Sequence, residues 1–150
     1  LIFVGNESLN YLNYYSKTYP TKEAIEWQYG MKQIVEYSKD NPDFYKMYVD
    51  KIRQQPYIYF LYYLEVPLPE LLRTVKYDET ESKSYSTVLS FGRFQFGGWN
   101  IIESYPAMGI VYAITPSFYS GLRHISQFDV NKLIKYPDTS DAFYIIRGYQ

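Results

Sequence analysis

Gly109-Ile110-Val111-Tyr112-Ala113-Ile114-Thr115 is the stretch whose reading decides the fold. It is continuously apolar, it lacks the alternation of a half-exposed strand, and Pro116 closes it, so it reads as a central strand. Working upstream, Phe44 to Val49 (Phe-Tyr-Lys-Met-Tyr-Val) is short and β-prone and reads as a second buried strand. Gln54-Gln55-Pro56 then opens a helix whose body is Tyr57 to Leu64, since proline is tolerated in a first turn. Pro67 and Pro69 end that helix, and Glu70 to Val75 forms a further turn.

Nearer the start, a helix is expected from just after Pro20 to about Lys39, with Thr21 as N-cap and Glu23 in the first turn at the positive end of the dipole. Trp27, Met31, Ile34, Val35 and Ser38 fall on one stripe at helical spacing, which predicts packing on the sheet, and Asp40-Asn41-Pro42 stops the helix. On that reading Trp27→Ala costs roughly 3 to 5 kcal/mol. Gly30 interrupts the stripe at a cost of about 1 kcal/mol in helix propensity, which implies close packing against a neighbour.

Downstream, Tyr85 to Leu89 and Arg93 to Phe96 read as strands flanking Gly92, Gly97-Gly98 marks a turn, and Trp99 begins a new segment. Beyond a short turn at Pro116 to Leu122, His124 to Lys135 and Ala142 to Arg147 pair as an antiparallel hairpin across Pro137-Asp138-Thr139-Ser140-Asp141. Tyr77 to Ser84 is the most polar stretch and reads as a mobile loop. The order helix, strand, helix, then strands predicts an α/β domain: a mixed β-sheet with helices packed on it, Rossmann-like or an α+β variant. One domain over 21–150, led into by 1–20, is the expected organisation.

Composition narrows the chemistry. With 150 residues and 47% hydrophobic content, the chain has the material to close a core unaided. Fifteen Lys and Arg against sixteen Asp and Glu, interleaved in sign from Lys22 to Arg53, exert no net pull on nucleic acid. Zero cysteines remove disulfides, thiolate catalysis and Cys-based zinc sites, and a single histidine removes a multi-His metal centre, so neither metal nor cofactor is expected. The 20 tyrosines carry large rings with a hydroxyl that needs water or a partner, so many should lie half exposed. The longest apolar run, Tyr57 to Leu64, is followed by Glu65 and falls well short of the roughly 20 residues that cross a bilayer. The chain opens at Leu1 without Met and reads as a piece of a longer protein; Asn6-Glu7-Ser8 matches the glycosylation sequon.

No motif names a reaction. His124 is the one imidazole, with Ser90, Ser117 and Ser120 as nucleophile candidates, but G-x-S-x-G is missing and His124 reads as a structural or surface residue. The carboxylates cluster in polar loops and on helix faces, away from the ends of apolar strands, and Gly92, Gly97 and Gly98 read as turn residues with no phosphate loop around them. The more suggestive place is Asp50-Lys51-Ile52-Arg53-Gln54-Gln55, which leaves a buried strand and enters a helix N-terminus. In α/β folds that border of the sheet favours ligands, which makes Lys51, Arg53, Gln54 and Gln55 the candidate binding residues; an ordinary solvated connection is the competing reading.

Tyr19-Pro20, Trp27-Gln28-Tyr29-Gly30-Met31-Lys32 and Gln55-Pro56 followed by Tyr57 to Tyr63 resemble the C-terminal domain of prokaryotic relatives of dolichyl-phosphate-mannose protein mannosyltransferases, in glycosyltransferase family 39. Gly92-Arg93-Phe94-Gln95-Phe96 with Trp99, Thr115-Pro116, Ile134-Lys135-Tyr136-Pro137-Asp138 and Phe143-Tyr144-Ile145 are similar in the same order, so the resemblance spans most of 19–147. It implies a location on the extracytoplasmic face, a transmembrane region upstream in the same chain as partner, and an enzyme that moves sugar from a polyprenyl-phosphate-linked donor to a glycan or protein acceptor. The family's essential acidic residue lies in a loop between early membrane helices, and no position here corresponds to it. The implied role is accessory, in positioning the acceptor or supporting the fold, and the fragment alone is expected to be non-catalytic. The rivals are a free-standing carbohydrate- or peptide-binding module that uses exposed Tyr and Trp rings, and a small soluble hydrolase.

Overall fold

The computed structural model describes residues 2–50, 55–78, 86–97 and 107–148. They form a single α/β domain around one seven-stranded mixed sheet. The strands are β1 (Lys46–Val49), β2 (Lys76–Tyr77), β3 (Val88–Phe91), β4 (Phe94–Phe96), β5 (Ile110–Ile114), β6 (Phe128–Lys135) and β7 (Asp141–Gly148), in the spatial order β2-β3-β4-β1-β5-β7-β6. β1 lies in the middle and pairs in parallel with both β4 and β5, Met47 opposite Phe94 on one side and Val111 on the other. The outer pairings are antiparallel.

The continuous apolar runs are explained by cover on both faces. Along β1 and β5, Met47, Val49, Val111 and Ala113 enter one buried cluster while Tyr48, Tyr112 and Ile114 enter another. The first cluster is closed by α3 (Met31–Asp40) and α4 (Tyr57–Leu64), through Met31, Ile34, Val35 and Phe60, with Leu71 of α5 (Leu68–Thr74) packed at its margin. The second is closed by Leu122, Phe118 and Tyr119, from the region of α6 (Pro116–Ser120), and by Phe128. The stretch from Pro116 thus forms a short helix where the sequence predicts only a turn; Pro116 at its first position supplies a pre-set φ and lacks only an N–H the helix would leave unbonded.

The N-terminal reading needs correction. No helix runs from Thr21 to Lys39. A helix α1 (Ile2–Asn13) passes through a wide π-type turn (Tyr14–Thr18) into the short α2 (Tyr19–Lys22), the chain then coils irregularly, and α3 begins only at Met31. Thr21 caps nothing; it lies inside α2, and its hydroxyl donates to the Lys17 carbonyl at 3.4 Å. The irregular stretch holds two left-handed residues, Gln28 at φ +55° and Gly30, whose φ of +98° no helix interior permits and which serves as the α3 N-cap. Close packing does occur there: a Cβ on Gly30 would stand 2.7 Å from the Phe143 ring. Met31, Ile34, Val35 and Ser38 are buried as the stripe predicts, but Trp27 precedes the break and is 66% exposed.

The second half follows the sequence more closely. β3 and β4 form a tight hairpin around Gly92-Arg93, with Gly92 at φ +50°. β6 and β7 pair across the Pro137–Ser140 turn, although β6 starts at Phe128 and His124 lies before it, exposed, at the head of a short 3-10 turn. Tyr85, Gly98, Trp99 and the Glu79–Ser84 part of the polar loop lie outside the described residues.

Candidate functional site

Two places have the geometry of a site. The first is the carboxyl border of the parallel strands. The chain leaves β1 toward α4, which packs on one face of the sheet through Phe60, and leaves β5 into α6, which packs on the other through Phe118 and Tyr119. Strand ends from which the chain departs to opposite faces are where α/β proteins hold ligands. Asp50 sits there, one residue past β1, its N–H donating to the Ala113 carbonyl at 2.9 Å. On the β4 side Gly97, at φ +78°, donates its N–H to the Val49 carbonyl at 3.0 Å.

On the β5 side, the Thr115 hydroxyl donates to Asp50 Oδ2 at 3.1 Å, and the Ser117 hydroxyl lies 3.3 Å from Thr115 Oγ1. Thr115 occupies the N-cap of α6 yet makes no cap bond with its side chain. Among the described residues the buried polar side chains are Ser38, Asp50 and Thr115, and Ser38 merely donates back to the Val35 carbonyl of its own helix. The carboxylates are therefore not confined to polar loops: Asp50 ends an apolar strand at 8% exposure.

Of the residues predicted to bind, Lys51, Arg53 and Gln54 lie outside the described residues, whereas Gln55 is described. Its backbone takes φ +56°, and its side-chain oxygen accepts from the Tyr57 hydroxyl at 3.4 Å, so it shapes the entry to α4. Of the candidate nucleophiles, Ser120 donates to the Ser117 carbonyl, Ser90 lies in β3, and Ser117 belongs to the chain that ends on Asp50. Among the described residues no three His, Cys, Asp or Glu side chains are placed to hold a metal ion.

The second place is an open groove of about 390 Å³ lined by Tyr15, Tyr19, Pro20, Ala24, Trp27, Tyr29 and Pro137. The π-type turn brings Tyr15 and Tyr19 into a near-parallel stack at 5.3 Å. Trp27 meets Tyr19 edge-on at 6.4 Å, and its Nε1–H donates to the Tyr19 hydroxyl at 3.3 Å. Tyr29 reaches Tyr136 at 5.9 Å, which joins this wall to the β6–β7 turn. Helical spacing hid the groove, because a stripe counts an indole equally whether its helix continues or breaks. The left-handed Gly30 was the available signal.

At the amino border of β1 and β5 lies a polar cavity of about 430 Å³ that includes Asp43, Asp129, Asn131 and Arg147. Arg147 forks onto Asp43, with Nη2 at 3.1 Å from Oδ1, and the bond holds the Asp43 carboxyl below the usual aspartate range while raising Arg147. This ion pair lies at the border opposite Asp50, and Arg147 Nε is buried there without a hydrogen-bond partner.

Compared with known proteins, the chain matches no protein family, no curated protein and no solved structure.

Proposed function

We propose that this chain is an extracytoplasmic domain of a membrane glycosyltransferase that draws sugar from a polyprenyl-phosphate-linked donor, and that its own part is accessory: it seats the acceptor. The observation that carries the reading is the aromatic groove. Tyr19-Pro20, Trp27 to Met31 and Tyr136-Pro137, the segments on which the family resemblance rests, are far apart in sequence and line or adjoin one concavity. Rings that face solvent there are not explained by core packing, and Trp27 in particular has an accessible face. Tyr and Trp present an apolar face and a polar tip together, which suits a ligand that is itself amphipathic, such as a sugar or a peptide segment.

Donor chemistry is assigned to the upstream membrane region. No helix among the described residues is long and apolar enough to cross a membrane. A lipid-linked donor needs an apolar slot and an acid-base group beside the reacting oxygen. In the intact enzyme Trp27→Ala should raise the acceptor KM several-fold and leave the donor KM unchanged; an unaltered acceptor KM refutes the acceptor role. The reading frame should also encode several apolar spanning helices upstream of Leu1. A frame without them removes the transferase and leaves a free-standing module that uses the same exposed rings.

A further inference from the structure

We infer that the sheet face over β2, β3, β4 and the start of β1 carries an anion site that takes a phosphate monoester, with Lys46 and Lys76 as its two charges. Strand register assembles it. Lys76 pairs with Ser90, Ser90 with Gln95 and Gln95 with Tyr48, so these four side chains project on one face in a single row across four strands. Lys46, two residues before Tyr48, shares that face, its Nζ 5.7 Å from the centre of the Tyr48 ring. The apolar cluster on this face runs from β7 and β5 to Tyr48, and past Tyr48 the row turns polar. There Lys46, Lys76, Ser90 and Gln95 line a cavity of about 330 Å³. Thr74, whose hydroxyl donates to the Glu70 carbonyl at 2.9 Å, serves only as part of its wall.

The donor set then defines the ligand. Ion pairs among the described residues join Lys32 to Glu36, Lys135 to Asp141 and Arg147 to Asp43, and none involves Lys46 or Lys76. No carboxylate is among the described residues that line the cavity, so its two positive charges have no counterion there. The Ser90 hydroxyl and the Gln95 amide stand between them in the row as neutral donors. The two lysines sit on strands three spacings apart, roughly 14 Å at about 4.8 Å per spacing, and reach the one cavity from opposite sides. A monocarboxylate brings one charge on two adjacent oxygens and satisfies a single lysine. A phosphate monoester brings nearly two charges on three oxygens around a tetrahedral centre, so it meets both lysines and keeps an oxygen for Ser90 or Gln95. The site shares no described residue with the aromatic groove and does not depend on it.

The test is a titration of the ¹⁵N-labelled chain with methyl phosphate, and separately with acetate, at constant ionic strength and about pH 7.5, where a monoester is mostly dianionic. The expected result is saturable millimolar binding of methyl phosphate that moves the amides of Lys46, Lys76, Ser90 and Gln95, with acetate about tenfold weaker or more. Lys76 is exposed and Lys46 partly so, and Lys46→Gln and Lys76→Gln should each weaken binding about fivefold, the spectrum of each variant reporting its fold. Lys32→Gln removes the same charge away from the cavity and should leave the affinity unchanged. Affinity unchanged in a folded Lys46→Gln, Lys76→Gln double variant, or an equal loss in Lys32→Gln, overturns the site. Acetate binding as tightly as methyl phosphate overturns the ligand class. Sedimentation with phosphatidylcholine vesicles that contain phosphatidic acid separates two sources of the group. Retention abolished in the double variant assigns a lipid headgroup; no retention, or retention that persists in that variant, leaves a soluble ester as the source.

Discussion

Gly30→Ala isolates the contact that sets the N-terminal architecture. Two costs arise from one methyl group. The backbone at φ +98° lies where an L residue is strained by about 1–2 kcal/mol. The new Cβ would also stand 2.7 and 2.9 Å from two carbons of the Phe143 ring and 3.5 Å from Ile134 Cγ2, and overpacking a fully buried ring costs about 1–3 kcal/mol. Phe143 is completely buried and cannot swing aside into solvent. Together the terms predict a loss of about 2–5 kcal/mol, a large part of the 5–15 kcal/mol typical of a domain. Urea denaturation followed by far-UV circular dichroism reads the loss as a lower midpoint at constant slope. Repeating the substitution in a Phe143→Leu background separates the terms, because the steric part shrinks with the ring and the backbone part persists. A cost below about 0.5 kcal/mol in the wild-type background, or an equal cost in both, refutes the account of the Gly30 break.

Three further outcomes follow from the same geometry. Trp27→Ala should change stability by less than about 1 kcal/mol, since the indole is 66% exposed; the same urea midpoint checks it, and a loss of 3 kcal/mol or more would return Trp27 to the core. Thr115→Val should cost about 1–3 kcal/mol by removing a donor from the buried Asp50 carboxylate, with Thr115→Ser recovering most of it in the same assay. The folded-state pKa of Asp43 is depressed by Arg147, so its contribution is present above the unfolded value near 4 and is lost as pH falls through the lower folded value. Thermal midpoints between pH 2 and 6 should therefore fall less steeply on acidification in Arg147→Gln; an unchanged acid limb refutes the coupling.

The central strands were readable because burial on both faces writes an unbroken apolar run, as in Ile110–Ile114, and two residues between β3 and β4 leave a hairpin little alternative. The β6–β7 pairing was equally plain from the Pro137–Asp141 turn. The N-terminal segment was not, because periodicity records which residues are apolar and not where the backbone leaves the helix; the irregular stretch after Lys22, with left-handed Gln28 and Gly30, leaves Trp27 on the surface. α1 was invisible for another reason. Its side chains from Asn6 onward are exposed, so no buried stripe marks it. At the end of β1, the hydroxyl that bonds Asp50 comes from 65 residues away, a pairing no local pattern encodes. Ser117 entered as a nucleophile candidate on residue type alone; its place beside Thr115 gives it a different part.

The borders of the sheet govern how copies of the chain behave beside one another. β6 forms one border over eight residues, but its register against β7 shifts twice, between Val130 and Lys132 and again between Ile134 and Lys135, and Asp129, Lys132 and Lys135 project from it. At the other border β2 is only two residues long and also shifts register. A neighbouring strand seeking to zip onto either side meets kinked amides or charge before a ladder can propagate. Crowded together on a surface, many copies would remain separate particles instead of fusing into a ribbon.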